Sequence, residues 1–304
     1  MIYLKLLLTS FLWAGCFITG RIVAKDVPPF SVVFLRFFIT FICMAFLMRH
    51  YEKGFPKIPK GYLLPVLVIG FAGIFLYNTL FIVGLKWVEA SRASLIIAMN
   101  PVFIAILAWI FLKENISPVK GFGICMSVTG AAIVISKGHF NGLIQSGAGW
   151  GEGVLLVAVM LWGVYSLVGR IVLKVLSPIA SVTYASIVGL VFLFFPACYE
   201  GMLTQMFAYS FLDWISIAYL GVFGTVVAFV WYYDGIQLLG PAKASLFINF
   251  VPIFAILQAY FMLNEPLTVS LFVGACFVIT GVYITNAAGQ FRFNQKRVLD
   301  RDRI

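Results

Sequence analysis

The sequence predicts an all-α polytopic membrane protein: ten transmembrane helices in two inverted five-helix repeats. Three observations carry this. Of 304 residues, 62% are hydrophobic and only 11% charged, with a mean hydropathy of +1.05, whereas soluble domains are about a quarter charged. The apolar residues fall in runs near the ~20 residues a helix needs to cross hydrocarbon. One long apolar segment also occurs twice, SLIIAMNPVFIAILAWIFLKE at Ser94–Glu114 and SLFINFVPIFAILQAYFMLNE at Ser245–Glu265.

The ten runs are Leu4–Gly20, Phe30–Met48, Tyr62–Leu85, Ala93–Leu112, Val119–Ser136, Gly153–Leu173, Pro178–Tyr199, Leu212–Tyr233, Ala244–Leu263 and Leu267–Ala288. All are continuously apolar, so they read as helices and not as barrel strands, which alternate with polar lumen positions over ~10 residues. Segment 1 sits where a signal peptide would, but no clear small-residue cleavage site follows it, and Trp13, Arg21 and Lys25 fit a retained helix. Segment 2 follows Pro29 and encloses Arg36; segments 4 and 9 carry Pro101 and Pro252. Segments 5 and 10 share a G-x6-G pattern at Gly123–Gly130 and Gly274–Gly281. The division is therefore a first repeat over 1–136, a glycine-rich polar connection over 137–152, a second repeat over 153–288 and a basic tail over 289–304.

The net charge of +10 is of the sign that phosphate backbones attract, but its distribution excludes nucleic acid as the partner. With ten spans, the basic clusters at Arg49–Lys60, Lys113–Lys120, Arg170–Lys174 and Arg292–Arg303 share the side of the termini, against Arg21, Lys25, Lys86, Arg92 and Lys137 opposite. The positive-inside rule then puts both termini in the cytoplasm of a cell inner (plasma) membrane. The lipid bilayer is the expected partner surface, and no oligomeric state is read. Cys16, Cys43, Cys125, Cys198 and Cys276 show no C-x-x-C pairing and read as packing or membrane-facing residues.

An offset of 151 aligns the opening pair and pairs Gly70 with Gly221, Gly73 with Gly224, Gly84 with Gly235, and Gly123 and Gly130 with Gly274 and Gly281. An offset of 149 pairs Trp13 with Trp162, Gly20–Val23 with Gly169–Val172 and Pro29 with Pro178. Five helices per copy is odd, so the second copy enters the membrane from the opposite side. Two inverted halves around a midplane site are the physical basis of alternating access.

These residues resemble the drug/metabolite transporter superfamily, in its ten-helix EamA-type group, over nearly the whole chain. The resemblance rests on Trp13–Gly15, Pro29 followed by Arg36, the paired segments Ala93–Glu114 and Ala244–Glu265, and the G-x6-G pairs. It implies export or exchange of a small-molecule substrate, commonly an amino acid or derivative, through a central cavity. No cofactor and no metal are expected.

The residues themselves offer candidates, each with a structural alternative. Pro101 and Pro252 remove helical N–H groups and mark either cavity-facing hinges or static kinks. Asn78, Asn100 and Asn249 are amides that either bind cargo or join helices. Trp13 and Trp162 lie inside their segments, away from the headgroup belt, and are placed as opposing aromatic walls, extended by Tyr77 and Tyr165; Trp231 and Tyr232 read equally well as belt anchors. Arg36 either meets a substrate carboxylate or ties down helix-end carbonyls and snorkels outward. Glu114 and Glu265, at helix ends, read as gate or fold-positioning residues.

Other function classes find little support. No P-loop appears, which speaks against ATP drive by this chain, and neither G-x-S-x-G nor H-E-x-x-H is present; His50 and His139 are loop residues. An enzyme is not expected. A non-transporting sensor or assembly protein on the same fold is the alternative to a secondary transporter.

Overall fold

Among the described residues, ten apolar helices make up the bundle. In the computed structural model they are α1 Ile2–Asp26, α2 Pro29–Tyr51, α3 Lys60–Trp87, α4 Ala90–Phe111, α5 Pro118–Ile135, α6 Trp150–Val172, α7 Pro178–Tyr199, α8 Phe211–Ile236, α9 Phe247–Leu263 and α10 Val269–Arg301. Among the described residues nine are long and apolar enough to span a membrane, and α9 is a shorter apolar helix. Described are residues 1–52, 54–113, 116–136, 149–239, 244 and 247–301, without the side-chain surroundings of 112, 237 and 287–301. Glu114, His139, Lys243 and most of the expected 137–152 connection lie outside them.

Starts are written locally. Pro29, Pro118 and Pro178 each open a helix, where a missing N–H costs nothing and the fixed φ fits. Ser117 and Ser177 cap their helices, and Ser210 with Asp213 forms a capping box on α8.

The two halves interleave: α1 packs on α8 and α9, α6 packs on α3 and α4, and α5 lies along α10. The same contacts are made twice. Leu6 packs onto Gly235 and Leu155 onto Gly84; Cys16 meets Gly224 and Tyr165 meets Gly73. The offset of 149 carries Leu6 to Leu155 and Cys16 to Tyr165, and that of 151 carries Gly84 to Gly235 and Gly73 to Gly224. Along α5 and α10, a Cβ on Gly281 would stand 2.6 Å from the Gly123 carbonyl oxygen, and one on Gly130 2.8 Å from that of Gly274. The G-x6-G pairs thus bring two backbones into contact, the close approach that small residues permit in membranes.

The prolines do not lie inside continuous helices as the sequence reading has it. α4 is broken into Ala90–Ile97 and Asn100–Leu112, and α9 is a 3-10 turn, Phe247–Phe250, followed by Val251–Leu263. Pro101 and Pro252 each stand second in the new helix, where the N–H they lack has no intrahelical partner. Each half-helix ends on a left-handed residue, Lys113 or Asn264, both at φ 53°. The repeated glutamates follow directly.

A second departure is invisible in the apolar pattern. α3 contains a π-helical stretch, Ile69–Tyr77, and α8 another, Val222–Val227; the offset of 151 superposes them. In α3, Asn78 Nδ2 donates to the Gly73 carbonyl at 2.7 Å, and in α8 Thr225 Oγ1 donates to the Leu220 carbonyl at 3.0 Å, each reaching five residues back. Such insertions are frequent at functional sites.

Candidate functional site

Arg36 sits between the two π-helical stretches. Its Nη1 donates to Asn78 Oδ1 at 2.8 Å and its Nη2 to Thr225 Oγ1 at 3.3 Å, so one guanidinium joins the first repeat to the second. It lies 5.1 Å from the Phe37 ring centroid and is only 8% exposed. It neither snorkels nor ties down helix-end carbonyls. Its Nε is buried without a hydrogen-bond partner.

The other buried charges are compensated. Arg92 and Glu152 pair at 2.8 Å, Asp213 belongs to its capping box, and Glu265 accepts hydrogen bonds from two backbone amides. Among the described residues, Arg36 is the buried cation held by neutral partners alone. Burying an ion in low dielectric is costly unless something compensates it.

Tyr77 links this centre to the rest of the site. It directly precedes Asn78 in the chain and its ring packs on Trp162; Asn100 Oδ1 is buried without a hydrogen-bond partner. Next to Asn100 in the chain, Pro101 lines a cavity of about 390 Å³. That cavity continues past Ile104, Ala105 and Tyr232 to Lys120, Arg170, Asn249 and Asn286. Lys120 lies in the first turn of α5, Arg170 in the last turn of α6, and Asn286 at the end of the membrane-spanning stretch Val269–Asn286 of α10. The cavity therefore opens on the face of the bundle that carries Met1.

The aromatic residues separate into two groups, one around Trp13 and one around Trp162. Trp162 packs with tilted rings on Tyr77 and Tyr165 at centroid distances of 4.8 and 5.1 Å. Trp13 packs on Phe229 and Tyr232 and donates Nε1–H to the Gly224 carbonyl at 3.1 Å, because the π-helical turn of α8 frees that oxygen nearby. Tyr232, read equally well as a belt anchor, lines the cavity.

Matching against known families decides the class. The model of the EamA-like transporter family covers residues 1–136 and 149–287 of this chain. The chain belongs to that family. It is 28% identical over 304 residues to the uncharacterized transporter YyaM of Bacillus subtilis (strain 168), covering 100% of this chain and 98% of that one. It is 29% identical over 232 residues, 75% of each chain, to a probable terminal-alkyne amino-acid exporter of Streptantibioticus cattleyicolor. A solved crystal structure shares the fold at a TM-score of 0.60 and 17% identity, covering 94% of this chain and 96% of the other.

In this EamA-like transporter the face opposite Met1 is tied across the repeats. Glu265, at the end of α9, accepts from Ala90 N at 2.7 Å, Ser91 N at 2.9 Å and Ser91 Oγ at 2.6 Å. It caps the start of α4 in the other half, not the segment that follows it. Ser31 and Glu200 make a second cross-repeat tie at 2.9 and 3.1 Å, and Arg92 with Glu152 a third. Glu114, its sequence counterpart, lies outside the described residues. Thr225, Cys16 and Lys120 were missed by sequence reasoning; the matched glycines at 73 and 224 were the available pointer to Thr225, since they flag where the paired bulges lie.

Proposed function

We propose that the protein is a secondary transporter that exports amino acids or related small metabolites by alternating access across the cell inner membrane. The observation that carries this reading is the cavity of about 390 Å³ open on one face while Glu265 and its companions tie the other. Charge assigns the faces: Lys120 and Arg170 rim the open end, and the basic clusters share that side, so it is the cytoplasmic one. The protein then rests open to the cytoplasm, loaded for export.

The half-helices beginning at Pro101 and Pro252 are the moving parts in this reading. Each has its proline second in the new helix, where no N–H is available to bond back to the preceding turn. The name of the Streptantibioticus relative supports an amino-acid-like cargo.

Flux in proteoliposomes tests the proposal. Saturable movement of members of a radiolabelled amino-acid and N-acyl amino-acid panel is expected, with Asn249→Ala raising KM several-fold. A folded protein that moves none of them is a sensor or assembly protein.

A further inference from the structure

We propose that the face opposite Met1 carries a second ligand site, for a zwitterionic α-amino acid, and that occupying it holds the protein in the cytoplasm-open form. The site stands on its own geometry; its effect on export rests on the transporter reading.

A cavity of about 230 Å³ lies at the Glu265 tie. Arg21 and Lys25, near the end of α1, line one part of it, Glu89 directly before α4 another, and Asn264, Glu265 and Pro266 after α9 the rest. Both repeats therefore contribute walls. Arg21 and Glu89 are half-buried, and Lys25 is exposed.

The charges around this cavity are not paired with one another. Among the described residues, no ion pair joins Arg21 or Lys25 to Glu89 or Glu265. Glu89 stands at the N-cap of α4 without capping it, because Glu265 takes the Ala90 and Ser91 amides in its place. Those bonds occupy the Glu265 carboxylate and leave Glu89 as the open one. Arg21 Nη1 donates to the Leu85 carbonyl, which anchors the guanidinium and leaves it further donors. Two cations and one carboxylate then select the ligand. A carboxylate satisfies Arg21 and Lys25, and an ammonium satisfies Glu89. A simple anion leaves Glu89 unanswered, and a simple cation meets Arg21 and Lys25 as like charges. An α-amino acid offers both groups on one carbon.

Linkage gives the effect. Releasing the Glu265 tie parts the end of α9 from the start of α4, and the cavity that both line goes with it. A ligand that binds only the tied form shifts the balance toward that form, about elevenfold at ten times its Kd. The cargo class proposed above includes amino acids, so product accumulating outside slows its own export.

The experiment uses full-length protein in oriented proteoliposomes, its native cysteines replaced, with Pro266→Cys reporting the outer cavity and Ile104→Cys the central one. L-alanine, N-acetyl-L-alanine or L-alaninamide is added on the face opposite Met1, together with a membrane-impermeant maleimide. L-alanine is expected to slow labelling of Pro266→Cys several-fold, the anion and the cation to leave it near the unprotected rate, and Glu89→Gln or Lys25→Gln to remove the protection. At ten times the half-protecting concentration, labelling of Ile104→Cys from the same face is expected to fall about tenfold, and in Glu89→Gln to stay unchanged. Equal protection by all three probes, no protection by L-alanine, or protection that survives the substitutions overturns the site. Protection of Pro266→Cys with no effect at Ile104→Cys overturns the hold on the cytoplasm-open form. Lys25 is exposed, so Lys25→Gln decides should Glu89→Gln not fold. Neither readout needs flux: a protein that binds L-alanine here yet moves no member of the wider panel loses the transporter reading and keeps the site.

Discussion

Glu265→Ala unties the face opposite Met1 and lowers thermal stability in detergent. The carboxylate accepts three hydrogen bonds of 2.6–2.9 Å from Ala90 and Ser91 while only 8% exposed. Removing it deletes an N-cap and leaves buried donors unsatisfied, for a loss of about 2–4 kcal/mol. The charge also faces the positive end of α4. Glu265→Gln keeps the shape and one acceptor oxygen, so a smaller drop in melting temperature is expected. The aligned positions in the second copy are Pro241, which has no N–H, and Ala242, which has no hydroxyl. The sequence offers Glu114 no equivalent set of donors, consistent with a protein that rests open on the Met1 side. A melting temperature unchanged in Glu265→Ala would remove the cap from the account.

Gly281→Leu is expected to be the most damaging single change in the second repeat. Even a Cβ there would lie 2.5 Å from Ser127 N and Oγ and 2.6 Å from the Gly123 carbonyl oxygen. Backbone cannot rotate away as a side chain can, so α5 and α10 must separate, at a cost at or above the ~1–3 kcal/mol of ordinary overpacking. Gly169→Leu is the control, because nothing lies within 4 Å of a Cβ there. Size-exclusion profile and melting temperature in detergent should collapse for the first and stay near the parent for the second. Equal behaviour of the two would mean that the glycine contact is not what holds these helices together.

The fold was legible because its main signals are compositional and repeated. Ten apolar runs, the positive-side bias and two constant offsets require only counting, and the glycines at 123, 130, 274 and 281 mark the tightest interface directly. The broken helices were not legible. A proline inside an apolar run has the same letters whether it kinks a helix or begins one, and only the turn at Ala98–Met99 separates the two. The π-helical stretches were hidden too, because one extra residue per turn leaves an all-apolar segment all-apolar. That insertion brings Asn78 and Thr225 onto Arg36, so the polar centre depended on geometry the pattern does not carry. Trp13 and Trp162 show the converse: correct sequence partners under the repeat, yet in separate aromatic groups, since a two-fold axis relates equivalent positions without bringing them into contact.

The central claim is that one cavity, open toward the Met1 face, changes sides when the Glu265 tie is released. The most direct test places a single cysteine at Ile104, on the cavity wall, in a protein whose five native cysteines are replaced, and labels it with a membrane-impermeant maleimide from either side. The account predicts labelling predominantly from the cytoplasmic side with Glu265 present, and a shift toward the external side when Glu265→Ala is added. Labelling mainly from outside in the parent, or a side preference that Glu265→Ala leaves unchanged, would contradict it.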